Sequence, residues 1–253
     1  GGVRPISREQ IKAACDEDTT NGPAALQRNQ TWFTERKMLH SFAGCDWGSG
    51  EGSSFTYVVV GGYYGGDDLR VAYHHRFAGE ELEPVRQVAV VQEIVEAYGC
   101  QRVVADYGGG MDRNDQLLRL LGPKRFFRLQ YVNLRAILQW DFELGRFLGR
   151  RTELMTMVFE AMKRKQIILP RWEETEGGLG KEIMACTSEL NQRGETIYNR
   201  APNNPDDGMH ALVYMTVAST LSVPRPDFVI PVVKPALDTA ISAGREWANI
   251  PSN

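Results

Sequence analysis

The chain has 253 residues, 42% of them hydrophobic and 24% charged, and a formal net charge of −3 at pH 7. That is long enough to bury a substantial core and too balanced for a disordered or fibrous protein. Cys15, Cys45, Cys100 and Cys186 are too scattered for a zinc site, and no stretch approaches the ~20 apolar residues that span a bilayer; a reduced, intracellular globular protein is the class that remains.

Residues 1–38 are polar, break at Asn21-Gly22-Pro23, and read as an N-terminal extension or interdomain linker with one short helical stretch. Leu39 to Asp46, Phe55 to Tyr64 and Leu69 to Phe77 are rich in β-branched and aromatic residues. Glycine-bearing turns separate them, which predicts a three-stranded antiparallel meander. A helix follows Glu83-Pro84, with Val85, Val88, Val91, Ile94, Val95 and Tyr98 at helical spacing and Gly99 at its end. The pattern then predicts a strand over Arg102 to Asp106, a turn at Gly108-Gly109-Gly110, a helix from Asp112 to Leu121 and a strand from Lys124 to Gln130. Beyond an Arg-rich connection come a helix from Thr152 to Lys165 and a brief strand, Ile167 to Leu169, ended by Pro170. The rest reads as a helix over Leu179 to Leu190, a hairpin about Gly194, a long helix from Asp206 to Leu221 and a Pro-rich tail. The boundaries are therefore 1–38 for the extension, 39–222 for one α/β domain and 223–253 for the tail.

Three acids stand where structure alone does not ask for them. Asp46 ends the first strand in Gly44-Cys45-Asp46-Trp47-Gly48, and Asp106 ends the fourth in Val104-Ala105-Asp106-Tyr107-Gly108. If those strands are parallel neighbours, both carboxylates share the sheet edge where strand order reverses, the usual ligand crevice of an open α/β sheet. A helix N-cap explains Asp206 in Pro205-Asp206-Asp207-Gly208-Met209-His210, but not the pairing of Asp207 with His210, which lie three apart on one helix face. Carboxylates brought together repel unless a cation lies between them, and hard oxygen donors favour Mg²⁺ or Mn²⁺ over zinc. Two such ions about 3.5–4 Å apart hydrolyse a phosphodiester without a protein nucleophile.

These segments, in this order over roughly residues 39–221, resemble the nuclease domain of bacteriophage terminase large subunits, within the RNase H-like, retroviral-integrase-like superfamily. The resemblance implies a mixed five-stranded sheet in the order 3-2-1-4-5, flanked by helices, with an added C-terminal hairpin and helix. It also implies a metal-dependent endonuclease that cuts double-stranded viral DNA during genome packaging, with Asp46, Asp106 and Asp207 holding two Mg²⁺ or Mn²⁺ ions and His210 as a further ligand. Related resolvases likewise pair an acid with a ligand three residues on. The implied partners are DNA, a packaging ATPase domain, a small terminase subunit and a portal, in the host cytoplasm and with no membrane. Complete terminases carry an N-terminal ATPase, whereas Gly177-Gly178-Leu179-Gly180-Lys181-Glu182 lacks the first Gly and the hydroxyl of a phosphate loop and reads as a helix start. The chain is thus expected to be the nuclease part alone. A structure-selective resolvase or transposase-like nuclease of the same fold, or a non-catalytic module docking on DNA or a portal, are the alternatives.

Fainter signals remain. Between Met111 and Arg171 there are 13 Lys and Arg against 6 Asp and Glu, an excess of seven positive charges that suits a phosphate-facing surface or ordinary solvated helices and loops. His74 and His75 are adjacent on a strand and point to opposite faces, so at most one serves any site. Tyr131, Trp140 and Phe142, interleaved with Arg128, Arg135 and Arg146, suit either a DNA-contacting ribbon or a structural hairpin.

Overall fold

The computed structural model describes residues 2–19, 21, 40–48, 54–63 and 66–222. Helix α1 (Arg8–Ala13) precedes the meander β1 (His40–Asp46), β2 (Tyr57–Tyr63) and β3 (Leu69–Arg76). After a 3₁₀ turn at Gly79–Leu82 come α2 (Pro84–Ala97), β4 (Arg102–Asp106), α3 (Met111–Leu121) and β5 (Phe126–Tyr131). The hairpin β6 (Leu138–Asp141) and β7 (Arg146–Gly149) leads into α4 (Arg151–Lys163), β8 (Ile167–Ile168) and the short α5 (Trp172–Thr175). Helix α6 (Leu179–Ala185), the hairpin β9 (Cys186–Leu190) and β10 (Thr196–Arg200), and α7 (Asp207–Ser222) complete the described chain. The Pro-rich tail and most of the segment before residue 40 lie outside the described residues.

The main sheet runs β6-β7-β5-β4-β1-β2-β3-β8. Its centre is the expected 3-2-1-4-5 order, but it has eight strands and not five. Both edges grow for a local reason: β7 lies parallel to β5 with β6 folded back upon it, and the brief Ile167–Ile168 strand pairs parallel to β3. A second departure is the expected helix over Leu179 to Leu190, which stops at Ala185. From Cys186 the backbone pairs residue for residue with Thr196–Arg200, and the Asn191 side-chain oxygen accepts the N–H groups of Arg193 and Glu195 to close the turn. A strand partner of matching length overrides the helical spacing.

Strand alternation divides the core in two. Phe42, Tyr57, Val59 and Val104 point to one face, where α4, α6 and α7 pack, while Ala43, Cys45, Val58, Val60, Val103 and Ala105 point to the other, under α2 and α3. Ile6, Ile11 and Ala14 join the first face, so the described N-terminal residues pack against the domain. Helix α7 lies between the sheet and the helices α4 and α6, which is why its residues from Asp207 to Ser219 are buried all round. Gly44 makes that packing possible, because a Cβ there would sit 2.0 Å from the Ala211 carbonyl oxygen and 2.2 Å from the Met215 nitrogen. Among the described residues no helix is long and apolar enough to cross a membrane, and all four cysteines are free.

Candidate active site at the end of the central strands

Strands β1 and β4 are parallel neighbours in the register Gly44↔Val104 and Cys45↔Ala105, so Asp46 and Asp106 stand side by side where both strands end. By parity both side chains lie on the α7 face, since residues 42, 44 and 46 alternate with the buried Ala43 and Cys45. Asp106 accepts hydrogen bonds from the Tyr214 hydroxyl of α7 (3.3 Å) and from the Gly109 N–H (2.5 Å). On the opposite face the two strand ends are tied together: the Trp47 indole donates to Asn114 Oδ1 (2.8 Å), and Asn114 Nδ2 donates to the Asp106 carbonyl (2.8 Å). The Gly108-Gly109-Gly110 turn closes over this tie. A Cβ at Gly110 would sit 2.4 Å from Trp47 Cδ1, and one at Gly109 would sit 2.7 Å from the Trp47 carbonyl oxygen. Close packing against Trp47 accounts for these two glycines.

Helix α7 starts above this pair. Asp207 Oδ2 accepts the Phe55 N–H at 3.0 Å, two residues before Tyr57, which lies across from Asp46 in the β1–β2 register. His210 does not accompany it. Its Nε2 lies 3.3 Å from Asp206 Oδ2 and 3.3 Å from Arg151 Nη2, and its Nδ1 lies 3.1 Å from the Tyr131 hydroxyl. Asp206 also faces Arg151 (3.5 Å) and Arg200 (3.8 Å). The His spacing that draws Asp207 and His210 to one helix face thus serves Asp206, one residue earlier.

Glu182 is the neighbour that sequence reasoning missed. It is 1% exposed, and its Oε2 accepts the Gly208 N–H in the first turn of α7. One signal for it existed: a carboxylate between Leu179 and Ile183, both fully buried, cannot lie on the solvated side of a short helix.

The electrostatics separate these acids. Burial, reinforced by Asp106, Asp207, Asp206 and Glu182, pushes the Asp46 carboxyl well above the usual range. Burial also raises Asp207, against the pull of the Phe55 N–H, and raises Glu182 to about 7. For Asp206 burial pulls the same way, but the hydrogen bond and charge of His210, with Arg151 and Arg200, reverse it, and the carboxyl ends below the usual range. Among the described residues Asp46, Asp106 and Asp207 have no Lys or Arg ion-pair partner. Nor do any three His, Cys, Asp or Glu side chains among them form a group that could hold a metal ion in this placement.

The fainter candidates go elsewhere. His74 is buried with its Nδ1 2.9 Å from the Tyr57 hydroxyl, and His75 pairs with Glu81. Several basic residues of the middle third are paired with acids, as in Arg125–Glu96, Arg146–Asp141 and Lys163–Glu160. Arg128 and Arg146 also stack on Tyr107, next to Asp106, and Arg113 stacks on Trp47. Trp140 packs edge-on against Phe147 in the β6–β7 hairpin, whereas Tyr131 lies beneath the site against His210 and Tyr214.

No protein-family model matches the chain, and no curated protein matches it. Solved structures do. The nuclease domain of the large terminase subunit of bacterial virus Sf6 aligns over 83% of this chain and 97% of its own, at 13% identity and a TM-score of 0.56. A variant of that domain with manganese gives the same coverage at 12% identity and a TM-score of 0.56. The large terminase nuclease of thermophilic phage G20c with bound magnesium aligns over 70% of this chain and 79% of its own, at 18% identity and a TM-score of 0.50. The protein is therefore an α/β domain with an RNase H-like fold. Its fold is that of phage large-terminase nuclease domains, as the sequence resemblance implies.

Proposed function

We propose that this chain is a divalent-metal-dependent endonuclease domain that cuts double-stranded viral DNA during genome packaging, with Asp46, Asp106 and Asp207 as its catalytic and metal-binding residues. One observation carries the reading. Asp46 and Asp106 end adjacent parallel strands on the α7 face, Asp207 starts α7 near enough for its charge to act on Asp46, and none of the three has a Lys or Arg ion-pair partner among the described residues. The fit to Mg²⁺ or Mn²⁺ rests on the three aspartates, whose donors are carboxylate oxygens, and on Asp46, whose carboxyl has no hydrogen bond among the described residues and is pushed up by burial and then by its acidic neighbours. Buried like charges of this kind are stabilised by a cation placed between them.

In this reading two ions, when bound, polarise the phosphodiester and supply an acidic water at neutral pH. Asp46 and Asp106 hold the strand side of the site, and Asp207 closes it from α7. No three of these groups form a ready-made ligand set among the described residues, so Asp46, Asp106 and Asp207 would hold such ions only with their side chains placed differently. His210 would serve as a further ligand only by leaving its contact with Asp206. Arg113, stacked on Trp47, and Arg128 and Arg146, stacked on Tyr107 while also paired with Asp115 and Asp141, offer guanidinium groups beside the strand ends for the DNA backbone. A packaging ATPase, a small terminase subunit and a portal are the implied partners in the host cytoplasm. The test is supercoiled plasmid incubated with the protein and Mn²⁺, with and without chelator. Nicking and linearisation that chelator abolishes are expected. Intact plasmid over a wide protein range, or cutting indifferent to chelator, would refute the reading. A strong preference for four-way junctions over linear duplex would replace packaging with junction resolution.

A further inference from the structure

Asp206, the residue placed to cap α7, is turned toward Arg151, Arg200 and His210. The Gly208 N–H in the first turn of the helix is taken instead by Glu182, 26 positions earlier in the chain. Three features make this contact specific. A Cβ on Gly208 would sit 2.9 Å from Glu182 Oε2 and 3.0 Å from the Tyr57 ring, so any larger residue there has to displace the carboxylate or the ring. Glu182 is seated by the fully buried Leu179 and Ile183, and Gly180 lets α6 pack tightly on the preceding turn, where a Cβ would meet the Thr175 carbonyl oxygen at 2.9 Å. The second oxygen, Oε1, is buried with no hydrogen-bond partner among the described residues.

Such an arrangement opposes stability. A buried, half-satisfied carboxylate costs free energy by itself, and this one adds repulsion to Asp46 and Asp207. An apolar side chain would pack more cheaply, but it could not bind the Gly208 N–H at the helix end that carries Asp207. We infer that Glu182 is a positioning residue: through Gly208 it fixes the first turn of α7 and so holds Asp207 at the ends of β1 and β4. Its consequence for metal binding rests on the nuclease reading, whereas the clamp on α7 does not.

Two measurements on Glu182→Ala, Glu182→Gln and Gly208→Ala separate the two. In chelator, amide hydrogen exchange of the Asp206–Leu212 segment is expected to speed up roughly tenfold or more in Glu182→Ala and in Gly208→Ala, as loss of a charged hydrogen bond predicts. Glu182→Gln, whose amide oxygen can accept the same N–H, is expected to stay within about threefold of the parent protein because a neutral acceptor weakens the bond without removing it. By calorimetry, Mn²⁺ affinity should fall in the same order and by similar factors. Unchanged exchange in Glu182→Ala would overturn the inference. So would a Glu182→Gln protein that exchanges slowly yet loses Mn²⁺ affinity as completely as Glu182→Ala, because Glu182 would then act by charge or ligation and not by position. If Glu182→Ala does not fold, Glu182→Gln and Gly208→Ala decide by the same criteria. A parent protein that fails to bind Mn²⁺, while exchange responds as expected, sinks the nuclease reading and leaves the clamp standing.

Discussion

Asp206 and Asp207 are adjacent, equally buried at 7% exposure each, and perturbed in opposite directions. On one side of the α7 start, Arg151, Arg200 and His210 surround Asp206 and keep it ionised. On the other, Asp207 has no Lys or Arg ion-pair partner among the described residues, and burial with the charge of Asp206 outweighs the Phe55 N–H, the charge of His210 and its own backbone N–H. Burial is common to both, so compensation by neighbouring charge separates them. The compensated side reads as structure; the uncompensated side is where a cation would be stabilising.

The sharpest way to break this comparison is to neutralise each aspartate in turn. Asp207→Asn should lower plasmid cleavage on the order of 10³-fold, the several kcal/mol expected for lost charge stabilisation at a metal site. In chelator the same variant should gain about 1 kcal/mol of stability, because a repelled buried carboxylate is gone. Asp206→Asn should behave in the opposite sense, losing about 1–2 kcal/mol, a figure discounted for the partial exposure of both arginines, with cleavage reduced far less. Denaturant melts and nicking rates on the two variants check it; equal losses of activity would remove the distinction.

A second probe disturbs the support beneath both residues. Gly44→Ala forces a Cβ into the α7 backbone and should destabilise the fold by about 3 kcal/mol, as overpacking does where neither backbone can yield. A thermal melt superimposable on the parent's would show that α7 does not lie on β1 as described.

The third asks what burial does where no carboxylate competes. His74, buried against Tyr57, is held at about 4, below its ordinary 6.5, first by burial and then by the charge of His75. Its folded-state value is depressed, so between about 6.5 and 4 the unfolded chain binds more protons and stability falls as pH drops through that window. The share due to His74 should be on the order of 3 kcal/mol across the whole window, read as the difference in pH dependence between the parent and His74→Gln. Parallel curves for the two proteins would mean that His74 does not contribute.

Much of this architecture was legible along the chain. The meander, α2, β4 and the long final helix follow from alternation, helical spacing and glycine or proline at the boundaries, all of which act within a few residues. Asp46 and Asp106 were legible as strand-end acids, and Asp207 as a helix-start acid. The brief strand at Ile167 was legible and a hairpin before Arg146 was one of two readings, but their pairing onto the edges of the main sheet and the split of the expected Leu179–Leu190 helix were not, because each depends on a partner strand distant in sequence.

The sequence by itself determined which residues alternate, which helix starts on two acids, and that acids end the first and fourth strands. Tertiary structure alone decided which acid of the Asp206-Asp207 pair is neutralised, that His210 sides with Asp206, and that Glu182 reaches Gly208. The reason is range. Backbone pattern is set by neighbours along the chain, whereas the state of a buried charge is set by every group that folding brings within a few ångströms of it.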